Sequence, residues 1–155
     1  MTIDGGLVVA IELAERKRDE AGQALANALR RQDNATQQQV QLESYALDTQ
    51  GRWSVAAQSE TTPQLIGHYY QFMDRLEQTI TLQQGVIADL QRQCQLARQA
   101  LLAADVHLAG LQRLLAKRHR EHARTAARQE QRQSDEFAAR VYTRAMADAA
   151  QQDQT

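Results

Sequence analysis

The feature that most constrains this chain is a pair of apolar stripes that mirror one another about its only proline, Pro63. The first runs Leu7, Ile11, Ala14, Arg18, Ala21, Leu25, Ala28, Gln32, Ala35, Gln39, Leu42, Ala46, Thr49, Trp53 and Ala56. The second runs Tyr69, Met73, Leu76, Ile80, Gln83, Ile87, Leu90, Cys94, Ala97, Leu101, Ala104, Leu108, Leu111 and Leu115. Steps of four and three alternate, the repeat of helices that wind about each other with a left-handed twist. The pattern predicts an all-α fold: a two-helix antiparallel coiled-coil hairpin with an extended C-terminal helix.

Folding the chain back at residue 61 pairs positions whose numbers sum to 122. Trp53 then faces Tyr69, Leu42 faces Ile80, Ile11 faces Leu111 and Leu7 faces Leu115. Small residues meet large ones at Ala46/Leu76, Ala35/Ile87, Leu25/Ala97, Ala21/Leu101 and Ala14/Leu108, so the layers can interdigitate at high density. Gln39 meets Gln83, a polar layer of the kind that fixes register at some loss of stability. Cys94 faces Ala28 and reads as a small buried hydrophobe.

Boundaries follow from capping chemistry. A short unpaired lead over 1–5 precedes a first helix over about 6–57. A turn over 58–64 (QSETTPQ) holds Thr61 or Thr62 as the cap of the next helix, with Pro63 at its first position. The second helix runs over about 64–149, and 150–155 fray. The whole chain, 1–155, is read as one hairpin domain. Gly22, Gly51, Gly85 and Gly110 fall off the seam, and continuity of the second helix through Gly85 and Gly110 is not legible from sequence. The second stripe ends at Leu115, where the first helix runs out of partners at Leu7. Beyond it, residues 117–132 (KRHREHARTAARQEQR) are polar all round and net basic by about four charges. Phe137, Val141 and Tyr142 then return as a short apolar patch. This leaves a single-helix extension of roughly 50 Å.

Composition agrees with long helices rather than a globular core. Aromatics are 5% of 155 residues, and about one residue in seven is glutamine, placed mostly outside the stripes where it solubilises a helix without charge. A net charge of −1 argues against a nucleic-acid partner, and no aromatics interleave the basic stretch, since none lies between Phe72 and Phe137. A single cysteine excludes a disulfide framework. No apolar run approaches the ~20 residues needed to span a bilayer, and the N-terminus lacks a signal peptide's features, so a cytoplasmic location is expected.

Catalytic signatures are missing from the sequence: there is no glycine-rich phosphate loop, nucleophile elbow or metal-ligand cluster. His119 and His122 stand at helical spacing without a third ligand. Asp135 and Glu136 are adjacent carboxylates on an exposed helix with no pocket around them, a poor setting for general acid–base work. The expectation is a protein that is not an enzyme and takes no cofactor. Tyr45, Trp53, Tyr69, Tyr70 and Phe72 gather at the hairpin tip. Trp53 and Tyr69 belong to the seam and are expected to pack on each other. Tyr70 and Phe72 flank it, and Phe72, Leu76, Thr79 and Gln83 read as one exposed stripe fit for docking a partner.

Three stretches resemble the FliJ family, small coiled-coil components of the bacterial flagellar type III export apparatus. Leu13, Ala14 and Glu15 with Arg18, Asp19, Ala21, Ala24 and Leu25 are similar to that family's opening helix. His68, Tyr69, Tyr70, Gln71, Phe72 and Met73, followed by Leu76, Glu77 and Ile80, resemble its post-turn segment. Glu130, Gln131, Asp135, Glu136 and Arg140 resemble its C-terminal stretch. The likeness spans about residues 7–144.

The resemblance implies a stalk that enters the hexameric flagellar export ATPase ring and couples it to the membrane protein of the export gate. It also implies contact with export chaperones. Gate docking maps onto Tyr70, Phe72, Leu76, Thr79 and Gln83, although Thr79 and Gln83 depart from the family's preferred residues. Ring contact, assigned in the family to the free ends, maps onto Arg16, Lys17, Arg18, Lys117, Arg118, Arg120, Arg124, Arg128 and Arg132. The implied location is cytoplasmic, peripheral to the inner-membrane export apparatus and without membrane insertion. Two rival readings share the architecture: the stalk of a virulence-type injectisome, and a generic coiled-coil scaffold.

Overall fold

Thr62 and Pro63 decide where the chain turns. The Thr62 hydroxyl accepts a hydrogen bond from the Leu65 amide at 3.3 Å, and its carbonyl takes the first helical bond from Ile66 at 3.2 Å. Thr62 is therefore the N-cap and Pro63 the first helical residue, where its missing N–H costs nothing. On the other side of the turn the preceding helix tightens as it ends: Ala57 donates to Trp53, then Gln58 to Val55 and Ser59 to Ala56 at 3.3 and 3.1 Å. The Ser59 hydroxyl also bonds the Ala56 carbonyl at 2.8 Å.

In the computed structural model, which describes residues 3–59 and 61–154, these signals separate two helices: α1 (Ile3–Ala56) and α2 (Pro63–Gln152). Of the expected turn and lead, Glu60, Met1 and Thr2 lie outside the described residues. α2 is unbroken through Gly85 and Gly110. A Cβ added at either glycine would meet nothing within 4 Å, so neither serves a close approach. α2 also continues to Gln152, past the expected end at 149.

The chain divides into two compact units: Leu13–Leu108, and the residues up to Glu12 together with those from Ala109 onward. Within Leu13–Leu108 the two helices pack antiparallel, and cross-helix contacts fix their register. Trp53 stacks on Tyr69 with ring centroids 4.3 Å apart, as the mirror rule predicts. Ala14, Ala28, Ala35, Met73, Leu76, Cys94 and Leu108 form the buried core, and Cys94 is a free thiol within it. The remaining seam positions of this unit are half-buried, except Ala56, which is exposed at the last residue of α1. Three of the seven core residues are alanines, so each layer contributes well under the ~1.5–3 kcal/mol of a fully buried large side chain. Gly22 is half-buried because Leu101 reaches across to it; a Cβ there would stand 3.9 Å from Leu101 Cδ1.

The polar layer is present, but its bonds differ from a simple glutamine pair. Gln83 Nε2 donates across the seam to the backbone carbonyl of Ala35 at 2.9 Å and to Gln38 Oε1 at 3.2 Å. Gln39 turns along its own helix to Glu43 at 3.0 Å, and its Oε1 is buried without a hydrogen-bond partner. A main-chain acceptor is fixed in space, whereas a facing glutamine must itself be ordered, so the amide takes the carbonyl.

In the other unit, Leu7 and Ile11 are buried and Leu111 and Leu115 half-buried, continuing the same stripes. The expected unpaired lead gives way to helix here. α1 starts at Ile3, and Asp4 stands half-buried three residues before Leu7, with one carboxylate oxygen buried and without a partner. An acidic residue in the first turn complements the helix dipole, which favours this earlier start. Arg118 is half-buried one heptad step beyond Leu115. From His119 to Gln154 every residue is exposed.

Candidate functional site

Helical periodicity sets Phe72, Leu76, Thr79 and Gln83 within about 60° of one another and Tyr70 about 160° from Phe72, but burial divides the first four. Leu76 is a seam residue, only 8% exposed, and Gln83 is half-buried with its amide spent on Ala35. The single exposed stripe expected from Phe72, Leu76, Thr79 and Gln83 is therefore not formed. The physical reason is that steps of four, three and four also describe the heptad seam, to which Leu76 and Gln83 already belong. Exposed are Tyr70 (64%), Phe72 (40%) and Thr79. Phe72 is steadied by Tyr45 across the hairpin, edge to face at 6.0 Å, and Tyr70 meets Tyr69 edge-on at 5.6 Å. Thr79 Oγ1 is turned back to the Arg75 carbonyl at 2.9 Å, so it presents its methyl group.

Two exposed aliphatics share the outer flank of Phe72 and Thr79 and were not singled out by sequence reasoning. Leu82 and Val86 continue from Thr79 in steps of three and four, both exposed. The signal was available as a second heptad stripe beside the seam. Together with Tyr45 they make an apolar strip with a ring pair at one end.

The expected ring-contact cations divide between the two units. Arg16 and Lys17 are exposed within Leu13–Leu108. Arg18 occupies a half-buried seam position, where its guanidinium is held by Asp19 at 2.9 Å. That hydrogen bond and the charge of Asp19 raise the Arg18 pKa above its ordinary value; burial opposes the shift, and Glu15 and Asp105 add to it. Arg18 is thereby a charged seam residue with its donors engaged, which distinguishes it from its exposed neighbours. Arg118 is likewise half-buried, in the other unit. Lys117, Arg120, Arg124, Arg128 and Arg132 are exposed and have no ion-pair partner among the described residues. Among the described residues no group of three or more His, Cys, Asp or Glu gathers as a metal site, and no helix is long and apolar enough to cross a membrane.

The family model of the flagellar FliJ protein matches residues 7–147, nearly the full length of the chain. The chain belongs to the FliJ family. The match takes in both seams, the capped turn and most of the exposed end of α2, so every motif that carried the sequence resemblance falls inside it. As a FliJ-family member the protein is a component of the flagellar type III export apparatus. No characterised protein and no solved structure compared with the chain gave a match.

Proposed function

We propose that this FliJ-family protein is a non-enzymatic stalk of the export apparatus. In this reading its basic C-terminal helix engages the hexameric flagellar export ATPase, its hairpin tip docks on the membrane protein of the export gate, and it contacts export chaperones. The location is then cytoplasmic, peripheral to the inner-membrane apparatus. One observation supports the reading above others: α2 continues for more than thirty residues past Arg118 with every side chain exposed and with a run of arginines that make no ion pair among the described residues. A helix polar all round is stable in a cell chiefly when something covers or bridges it. Contacts with a roughly symmetric ring are best made by charge, which tolerates rotation of one body in the other better than a single locked pocket does.

The experiment is ATPase stimulation by the full-length protein, compared with Arg120→Glu, Arg124→Glu, Arg128→Glu combined. The triple variant should fold like the parent, because none of the three side chains is buried, and should lose stimulation. Equal stimulation by parent and variant would remove the basic helix from the mechanism.

For the gate, the contact is carried by Phe72 with Thr79 beside it, and by Tyr70 on the other flank of the seam. Leu76 and Gln83 act there by holding the helix that presents Phe72. Phe72→Ala should weaken gate binding while leaving the fold and ATPase binding unchanged. Loss of both bindings together would reduce the aromatic cluster to tip packing.

A further inference from the structure

The exposed end of α2 carries two features within one unit, a cationic stripe and an apolar patch. Arg113, Lys117, Arg120, Arg124, Arg128 and Arg132 recur in steps of three and four, so they occupy about a third of the helix circumference. Glu121 is the one carboxylate close among them. Four of the i,i+4 neighbours in this set are like-charged, an arrangement that weakens an isolated helix. Downstream, Phe137, Val141, Tyr142 and Met146 are all more than half exposed, and with Ala138, Ala145 and Ala149 they cover about half of the circumference. At 100° per residue, Tyr142 and Met146 fall within the arc of the cations, Val141 and Phe137 lie about 115° and 155° from its centre, and the two features are centred about 30 Å apart along the axis.

We infer that the C-terminal helix binds its partner at two stations: a one-sided cationic rail over Arg113–Arg132 and an apolar anchor formed by Phe137, Val141, Tyr142 and Met146. The occupant is an acidic protein surface with an apolar pocket about 30 Å further along the helix axis. Charge complementarity selects it, because six exposed cations on one arc with only Glu121 among them favour carboxylates opposite. A second copy of the chain fits less well. Side-by-side parallel tails would set rail against rail, and antiparallel tails would share only the anchor. Four large side chains fall well short of the roughly 800 Å² per partner of a stable interface. The inference rests on the ring-binding reading above and adds to it an apolar contact and a spacing.

The test compares binding of the purified export ATPase to the full-length protein and two variants across a range of salt concentrations. Combined Phe137→Ala, Val141→Ala, Tyr142→Ala and Met146→Ala keeps good helix formers throughout, so helicity by circular dichroism should be unchanged. Affinity should fall at least thirtyfold with an unaltered dependence on salt. Arg120→Glu, Arg124→Glu, Arg128→Glu should instead flatten the salt dependence. If the parent binds and the four-alanine variant binds within threefold of it, the anchor is overturned while ring binding stands. If the parent does not bind the ATPase at any salt concentration, the ring reading itself fails and takes the anchor with it. Sedimentation of the parent as a dimer that the four alanines dissolve would overturn the assignment in favour of a second copy.

Discussion

The indole of Trp53 lies flat on the phenol ring of Tyr69, the planes 7° apart, and this stack joins the last turn of α1 to the first turns of α2. It closes the hairpin at the end where the chain reverses, so the loop it must hold is short and cheap to order. Next to it the Tyr45–Phe72 ring pair lies on one flank and Tyr70 is exposed. The tip thus spends two aromatics on holding the hairpin and leaves others exposed.

Trp53→Ala should destabilise the hairpin by about 2–3 kcal/mol, below the range for a fully buried tryptophan because this one is half-buried. Tyr70→Ala should change stability by no more than about 0.5 kcal/mol. Chemical denaturation of the two variants side by side checks the distinction.

Leu76→Ala opens a cavity in the seam and should cost about 2–4 kcal/mol. Phe72→Ala, four residues away, should cost under about 1.5 kcal/mol, chiefly its ring contact with Tyr45. A gate-binding defect in a Leu76 variant is therefore to be read only beside its melting curve. Phe72→Ala is the cleaner probe of docking.

Gln39→Leu should raise stability by about 1 kcal/mol, because it removes a buried oxygen that has no partner. Gln83→Leu also adds apolar surface, but it breaks the bond to the Ala35 carbonyl and should be close to neutral alone. The double leucine variant should melt higher than the parent and show a broader distribution of distances between spin labels on the two helices. A narrower distribution would show that the amide does not set the register.

Thr62→Ala should cost about 1 kcal/mol through loss of the N-cap. Gly85→Ala and Gly110→Ala should each gain up to about 1 kcal/mol, since the added methyl meets open space in a continuous helix. Thermal melts of the three single variants decide these signs.

Much of the fold was legible because a heptad repeat is a direct record of which helix face is covered. Within the described chain every stripe position is buried or half-buried apart from Ala56, and off the stripes only Asp4, Ala10, Glu15, Gly22, Thr61, Ala88 and Arg118 are half-buried. Pro63 preceded by Thr62 gave the cap by the same local logic. Three things were not legible. Asp4 breaks the apolar pattern, so the early start of α1 at Ile3 was hidden. The layer of Gln39 and Gln83 was visible, but not its bonds, since a glutamine amide reaches backbone or side chain equally well. Leu76 and Gln83 sit where two stripes of similar spacing overlap, and only a second helix laid against them tells inside from outside. The family resemblance supplied the candidate docking residues; burial sorted them.

From His119 to Gln154 every residue is exposed, so this stretch stays helical largely on its own propensity. The helicity of a helix without tertiary packing depends on temperature and is firmer in the cold. Warming the protein should therefore unwind this end gradually, well before the paired region gives way in a cooperative step. Whatever grips it would then restore helical signal on binding, so a partner could be scored by ellipticity alone, without any label or enzymatic readout.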